Sequence, residues 1–203
     1  GTAGEWSITT GLGSVARYRP GAGEGAFIGH GYDQLMGVAV TSGGAVVFAE
    51  MGAGVVHIAD GTEVRVLFKG LDAPMGVAVG ADDAVYVAET GASRIVRLSP
   101  GWSEVLAQGL GEPQGLCRVG GTLYTVDVAA RSVVAIDCDS GAVSTIAAGL
   151  PVGAPPGVKP KFLGPIGDMS GPMVNFAGIA AGADGTLYVA GDAEGSVLAL
   201  RQH

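Results

Sequence analysis

The chain has 203 residues, of which 48% are hydrophobic, and a formal net charge of −8. Its 11 lysine and arginine residues are spread singly along the sequence, which argues against binding to nucleic acid or to an anionic membrane surface. Most apolar runs end within seven residues, too short to cross a membrane, and the 37 glycines and 10 prolines predict short strands and turns rather than long helices.

A glycine followed by an aliphatic residue recurs at a fixed spacing. Gly37, Gly76 and Gly115 follow one another at equal intervals, and Gly178 comes after one further period and an insertion. Residues 74–107 contain four short strand-like runs separated by aspartate, glycine and serine, which favour tight turns. A period of about 40 residues made of four strands predicts an all-β fold, a β-propeller of four-stranded antiparallel blades.

The repeat divides the chain into blades, numbered 1 to 5 here. Residues 10–18 align with residues 90–98, which places Trp6 over Tyr86 and starts the chain inside the second strand of a blade. Blade 1 therefore lacks its inner strand and blade 5 lacks its outer strand. We expect a longer ring, favouring six blades, whose remainder precedes residue 1, with a ring of seven blades or of five blades with open edges as the alternatives. The predicted boundaries are 1–35 for partial blade 1, 36–74, 75–113 and 114–177 for complete blades, and 178–203 for partial blade 5.

The insertion falls between blades 4 and 5, at 151–176, in a stretch rich in proline and glycine that excludes regular structure. It belongs to a connection from an outer strand to the next inner strand. In propellers such connections lie on the face where the central channel opens to ligands. Long loops in compact domains are usually functional or disordered, so we predict a binding role for this loop, with a neutral insertion as the alternative.

Three segments resemble known propeller repeats. Residues 74–98 (PMGVAVGADDAVYVAETGASRIVRL) and 167–192 are similar to the NHL repeat, and residues 14–40 resemble a blade of the SMP-30/gluconolactonase and strictosidine-synthase-like group. Residues 74–89 are also similar to the streptogramin-lyase repeat. The resemblance covers nearly the whole chain. Because these families share a fold and differ in chemistry, the resemblance is specific for the fold and implies several possible functions.

The resemblance to lactonases implies a divalent cation, calcium or magnesium, held in the channel by glutamate, asparagine and aspartate oxygens. In that family an asparagine precedes the glycine that opens an inner strand. This chain departs from the pattern, because the matching residues are Met36, Met75, Gln114 and Ala177. We therefore expect no cofactor, with a channel cation partly held by residues before residue 1 as the alternative.

Those same positions suggest a different kind of site. Met36, Met75 and Gln114 would give the channel mouth a mostly apolar rim that suits an organic ligand, and the alternative is that they plug the channel. From the 151–177 loop we add Asn175 and Asp168 as candidate ligand-binding residues.

Acidic residues recur after each second strand, at Glu50, Glu89, Asp127 and Asp192. Their spread around the ring argues against one convergent catalytic site. We interpret them as acceptors for backbone N–H groups of the following turn. His57 is expected to be a packed or surface residue. His30, in a loop with Asp33, is a candidate general base, and these two residues are the only catalytic candidates.

Cys117 and Cys138 fall on the first and third strands of one predicted blade. Strands two apart are about 9.5 Å from each other. A disulfide requires Cα atoms within about 7 Å, so we predict two free thiols.

The sequence favours an NHL-type module that binds a small organic ligand or a peptide on the channel-entrance face. The alternatives are an SMP-30/gluconolactonase-like hydrolase or lyase with part of its site before residue 1, and a structural propeller within a larger assembly. The expected partners are a small molecule or a protein or peptide, with no nucleic acid and no membrane insertion. The family resemblance favours a secreted or periplasmic location.

Overall fold

The structure is a computed structural model that describes residues 4–10, 12–19, 25–154 and 176–201. Eighteen β-strands in these ranges form five antiparallel sheets, one for each blade, which confirms the predicted all-β propeller. Consecutive blades stack face to face along their inner strands. Within those four ranges no helix has the length and apolarity that a membrane crossing requires.

Blades 2, 3 and 4 each contain four strands ordered from the inner strand to the outer strand. Short turns join them, as the aspartate and glycine residues between the β-branched runs predict. Their strands are β4 (Leu35–Val40), β5 (Val46–Glu50), β6 (Val55–Asp60), β7 (Glu63–Lys69), β8 (Pro74–Val79), β9 (Val85–Glu89), β10 (Arg94–Ser99), β11 (Trp102–Gln108), β12 (Pro113–Val119), β13 (Thr122–Asp127), β14 (Ser132–Asp137) and β15 (Val143–Ala148).

Blades 1 and 5 have three strands each in the described ranges. Blade 1 begins with a second strand, which contacts inner strand β4 of blade 2, and blade 5 ends with a third strand, as the repeat predicts. Their strands are β1 (Trp6–Thr9), β2 (Ser14–Tyr18), β3 (Gly25–His30), β16 (Ile179–Ala181), β17 (Leu187–Gly191) and β18 (Ser196–Leu200).

The predicted position of Trp6 over Tyr86 is wrong by one residue. Trp6 pairs with Tyr18, the residue that aligns with Leu98, and Leu98 pairs with Val85 rather than with Tyr86. The cause is the hairpin, since five residues separate the paired Thr9 and Val15 in blade 1, whereas six separate the paired Ala88 and Ile95 in blade 3. A shift of one residue moves a side chain to the opposite face of its sheet, and Trp6 accordingly faces away from blade 2.

The hydrophobic core lies between the blades rather than within one of them. Four clusters of buried side chains fill the four interfaces between consecutive blades, and both faces of the central sheets are covered. Val87 faces blade 2 and Ile95 faces blade 4, and neither side chain is exposed to solvent. Full burial of one such side chain stabilises the fold by about 1.5–3 kcal/mol. Coverage on both faces explains the apolar composition without a membrane segment.

The glycines that mark the repeat sit where neighbouring inner strands come closest. A Cβ atom on Gly37 would lie 2.5 Å from the carbonyl oxygen of Met75 and 2.6 Å from the backbone nitrogen of Val77. Gly76 and Gly115 meet the next inner strand in the same way. Only glycine allows backbones to approach this closely, so the regular glycine spacing brings the inner strands together at the centre of the propeller.

Candidate functional site

The channel-entrance face carries the connections from each outer strand to the next inner strand and the turns between second and third strands. The rim predicted from the sequence belongs to the starts of inner strands β4, β8 and β12. The structure places Met36 half-buried, while Met75 is only 3% exposed and Gln114 only 7% exposed. Met75 and Gln114 thus belong to the packed interior, Met36 is the most accessible of the three, and their part in a channel rim stays a prediction.

Gln114 has a structural partner. Its Oε1 atom accepts a hydrogen bond of 2.8 Å from the backbone N–H of Ala177, the residue at the corresponding position of the next blade. A buried amide oxygen needs such a partner, because leaving it unpaired costs roughly 1–3 kcal/mol. This bond ties inner strand β12 to the segment that leads into blade 5.

The recurring carboxylates bind backbone N–H groups at the channel-entrance face. Glu50 Oε1 accepts from Asp33 N at 2.8 Å, and Glu89 Oε1 accepts from Asp72 N at 2.9 Å. Both donors lie in the connection that precedes the inner strand of the same blade, not in the turn after the second strand, where we expected them. Each carboxylate therefore anchors the connection from the previous blade to its own blade.

The carboxylates of blades 4 and 5 follow the same rule. Asp127 accepts from Gly111 N and Glu112 N at 2.7 and 3.0 Å, and also from Ala130 N at 3.1 Å in the turn that follows it, as predicted. Asp192 accepts from Gly153 N at 2.8 Å through Oδ1.

The second oxygens of these carboxylates differ between blades. Glu89 Oε2 accepts from Arg94 Nε, and Glu50 Oε2 lies 2.7 Å from His57 Nε2. The Oδ2 atom of Asp192 is buried and has no hydrogen-bond partner among the residues that the structure describes. Within the described part of the chain, this buried oxygen of Asp192, next to the start of the 151–177 loop, lacks the hydrogen bond that would compensate a buried carboxylate.

His57 is packed, as predicted, inside an aromatic cluster. Its ring stacks on Phe48 with centroids 5.0 Å apart, and Tyr32 lies against both rings at centroid distances of 5.1 Å. Burial raises the pKa of the Tyr32 hydroxyl, and the nearby Glu50 carboxylate raises that pKa further. The cluster joins the loop before β4 to strands β5 and β6. The sequence offered no signal for it beyond the histidine, because Tyr32 and Phe48 lie on different elements that only the folded blade brings together.

The structure does not pair the two catalytic candidates with each other. His30 is exposed at the end of β3, and Asp33 is exposed in the following loop, where its side chain lies against Gly52. No hydrogen bond joins the His30 and Asp33 side chains, both of which are described. Asp168 and Asn175, the candidates in the 151–177 loop, lie outside the described residues, so their part in a site stays a prediction.

The residues at the starts of the inner strands do not fit a calcium or magnesium site. Met36 and Met75 offer thioethers, Ala177 offers no side-chain ligand, and the Gln114 oxygen is already bound to Ala177 N. Within the described ranges, no group of three or more His, Cys, Asp or Glu side chains has the arrangement needed to hold a metal ion. Cys117 and Cys138 are both free thiols, which confirms the prediction from strand spacing.

No protein-family model matches the chain, and no curated protein is significantly similar to it in sequence. Solved structures do match. A catalytically inactive virginiamycin B lyase from Staphylococcus aureus with quinupristin has 15% identity and a TM-score of 0.65, with 98% of this chain and 66% of that chain covered. A gluconolactonase from Xanthomonas campestris has 16% identity and a TM-score of 0.62, with 91% and 65% covered.

A third match comes from a nidogen/laminin complex, at 22% identity and a TM-score of 0.62, with 70% of this chain and 57% of that chain covered. The chain shares the propeller fold of these proteins. The resemblance to NHL, gluconolactonase and streptogramin-lyase repeats is therefore confirmed for the fold. The chain spans 57 to 66% of the length of the three structures. Because propellers of this group include both binding modules and enzymes, fold alone does not select a function.

Proposed function

We propose that this chain is an NHL-type propeller module that binds a small organic ligand or a peptide at its channel-entrance face. The observation that carries the proposal is that most of the recurring carboxylates are already hydrogen-bonded within the protein. Glu50, Glu89 and Asp127 use both of their oxygens to hold backbone N–H groups, His57 or Arg94. Groups bound in this way position loops, and they have little capacity left to coordinate a metal ion or to transfer a proton.

The chemistry around the channel entrance supports an organic ligand. Met36 contributes a flexible apolar side chain, and methionine adapts well to ligands of irregular shape. The net charge of −8 disfavours anionic ligands. A neutral or cationic organic molecule, or a peptide of that character, is therefore the proposed ligand class, and the family resemblance supports a secreted or periplasmic location for the module.

Quinupristin, present in the lyase structure with a similar fold, is a suitable first probe. Binding to this chain is measured by titration calorimetry, and mass spectrometry of the recovered compound shows whether its molecular mass has changed. Saturable binding that returns unaltered quinupristin, and that weakens in Met36→Asp, supports the binding module. Met36→Leu serves as the matched control, because it keeps an apolar side chain of similar volume. Absence of binding by quinupristin and by a panel of neutral and cationic small molecules and peptides contradicts the proposal.

A hydrolase or lyase is the second candidate, and Asp192 is the observation that favours it. Its buried Oδ2 atom, unpaired in the described ranges, would suit a cation or a bound proton. The test adds calcium or magnesium chloride to the wild-type chain and to Asp192→Asn, and follows melting temperature and turnover of a simple lactone. A cation at a hundred times its dissociation constant stabilises a protein by about 2.7 kcal/mol. Stabilisation and lactone turnover that both disappear in Asp192→Asn would favour the enzyme.

A further inference from the structure

The carboxylate that anchors blade 2 has a histidine as its second partner, whereas the matching carboxylate of blade 3 has an arginine. Glu50 Oε1 accepts from Asp33 N at 2.8 Å, and Glu50 Oε2 lies 2.7 Å from His57 Nε2. The second oxygen of Glu89 accepts from Arg94 Nε instead. Arginine is always charged in proteins, while histidine is the side chain that ordinarily changes charge between about pH 5 and pH 8. Of these two anchors, the one in blade 2 contains a group that can respond to pH in this range.

The repeat shows how the histidine takes the place of the arginine. Arg94 is the first residue of its third strand, and the first residue of the third strand of blade 2 is Val55, which cannot pair with a carboxylate. His57 lies two residues further along β6, at the position that Val96 occupies in blade 3. Val96 belongs to the apolar cluster between blades 2 and 3. Blade 2 therefore supplies the partner of Glu50 from a position that is aliphatic in the next blade.

The surroundings of His57 shield this contact from solvent. The residue is 8% exposed, and its ring lies against two aromatic rings. The titratable groups that face it are Glu50 from β5 and Tyr32 from the connection into blade 2, residues 31–34. Its neighbour on β7 is Val66, and the face of blade 1 that packs here contributes aliphatic side chains. Within the described ranges, Glu50 is the charged residue that bonds to His57, and attraction between charges is stronger in such a site than in water.

Proton uptake by His57 strengthens the contact with Glu50. A carboxylate oxygen only accepts hydrogen bonds, so the imidazole donates through Nε2–H and takes up its second proton at Nδ1. The new positive charge turns the hydrogen bond into a hydrogen-bonded ion pair, and it lies against the face of the Phe48 ring, which attracts cations. The His57 side chain is 11% exposed, so solvent can deliver the proton. A carboxylate fixed in this way also keeps its other oxygen aimed at Asp33 N.

We propose that His57 makes the anchor of the connection into blade 2 sensitive to pH. Proton uptake by the imidazole tightens its contact with Glu50, and Glu50 in turn holds Asp33 N more firmly. The connection is held most firmly in mildly acidic solution, and the hold weakens as the pH rises and the imidazole releases its proton. The connection into blade 3 does not respond, because Arg94 keeps its charge.

The test uses the ligand-free chain, so its result does not depend on the proposed function. Hydrogen exchange followed by NMR measures the protection of the Asp33 and Asp72 amides from about pH 5.5 to about pH 8, each relative to an unstructured peptide at the same pH. Asp72 N is the internal reference, because it donates to Glu89 at 2.9 Å. The ratio of Asp33 to Asp72 protection should fall by about threefold or more as the pH rises. It should fall with the same midpoint as the titration of the His57 ring signals.

Two variants assign the response to one histidine. His57→Gln keeps an N–H donor but carries no charge at any pH, so the protection ratio should become constant. His30→Gln is the matched control, because it removes the other histidine that the structure describes, which is exposed at the end of β3. That variant should keep the response of the wild-type chain.

A protection ratio that stays constant in the wild-type chain, or that rises with pH, would overturn the inference. A response that persists in His57→Gln or disappears in His30→Gln would overturn it as well. If His57→Gln does not fold, the wild-type midpoints decide the question. A midpoint for the Asp33 amide that differs from the midpoint of the His57 ring would assign the response to another group.

Discussion

Gly76 on inner strand β8 lies directly against the carbonyl oxygen of Gln114 on inner strand β12. A Cβ atom at this position would overlap that oxygen and would lie 2.8 Å from the backbone nitrogen of Leu116. Backbone atoms cannot make room without moving a whole strand, so the two inner strands would have to separate. The glycine spacing in the sequence is therefore a packing requirement at the centre of the propeller.

Gly76→Ala is expected to lower the free energy of unfolding by about 3 kcal/mol, the scale of an overpacked core. Urea denaturation followed by circular dichroism measures the change. Gly178→Ala is the matched control, because Gly178 occupies the same place in blade 5 and its nearest neighbour to an added Cβ is a carbon of the Phe176 ring at 3.6 Å. That variant should lose no more than about 0.5 kcal/mol. Equal losses in both variants would show that the close approach is not the reason for the glycine.

The repeat allowed the sequence to predict much of the fold. Each blade needs a glycine on its inner strand and turn residues between its other strands. The repeat of about 40 residues therefore predicts the order of the strands and where each blade begins and ends. In the described ranges, the three strands of blade 1 and the three strands of blade 5 occur in the order that the repeat predicts. The register of Trp6 was not predicted correctly, because it depends on the hairpin that ends at Val15 rather than on the repeat.

The site was less predictable, because side-chain depth and partners depend on how blades pack together. The sequence predicted that Met75 and Gln114 line the channel entrance, but it carried no information on how deeply these side chains would be buried. The contact between Glu50 and His57 joins the end of β5 to the interior of β6 and requires the register of that hairpin. The acidic repeat was correctly assigned a structural role, while its backbone partners lie in the connection before each inner strand.

Glu89→Gln tests the carboxylate anchor of blade 3. Glu89 is 1% exposed and accepts hydrogen bonds from Asp72 N and Arg94 Nε. Removing its charge weakens both bonds and leaves Arg94 without its counter-charge, so we expect a loss of about 2–3 kcal/mol in unfolding free energy. Glu104→Gln, on an exposed strand position of the same blade, is the control and should be nearly neutral. A small effect of Glu89→Gln would contradict the anchoring role.

Cys117 should make stability depend on alkaline pH. Burial raises the pKa of its thiol from 9.0 to about 11. A raised pKa means that the folded state holds the proton more tightly than the unfolded state does. The stabilisation is therefore complete below pH 9 and is lost as the pH rises to about 11. The difference in urea midpoint between wild type and Cys117→Ala isolates this group from other titrating side chains, and it should shrink between these two pH values. A constant difference would contradict the prediction.

Ala73→Gly should stabilise the chain. Ala73 has a φ of +48° in the connection that leads into β8, a conformation that costs a residue with a Cβ atom about 1–2 kcal/mol. Glycine relieves this strain but loses more backbone entropy on folding, so the expected net gain is about 0.5–1 kcal/mol. Thermal and urea unfolding both measure it.

Ala92→Gly provides the matched control for that substitution. Ala92 is also a half-buried turn residue of blade 3, but its φ is not positive, so glycine there brings only the entropic cost. This variant should be destabilised by about 0.5–1 kcal/mol, opposite in sign to Ala73→Gly. If both substitutions destabilise the chain equally, the left-handed conformation at Ala73 carries no strain, and the connection into blade 3 is relaxed as it stands.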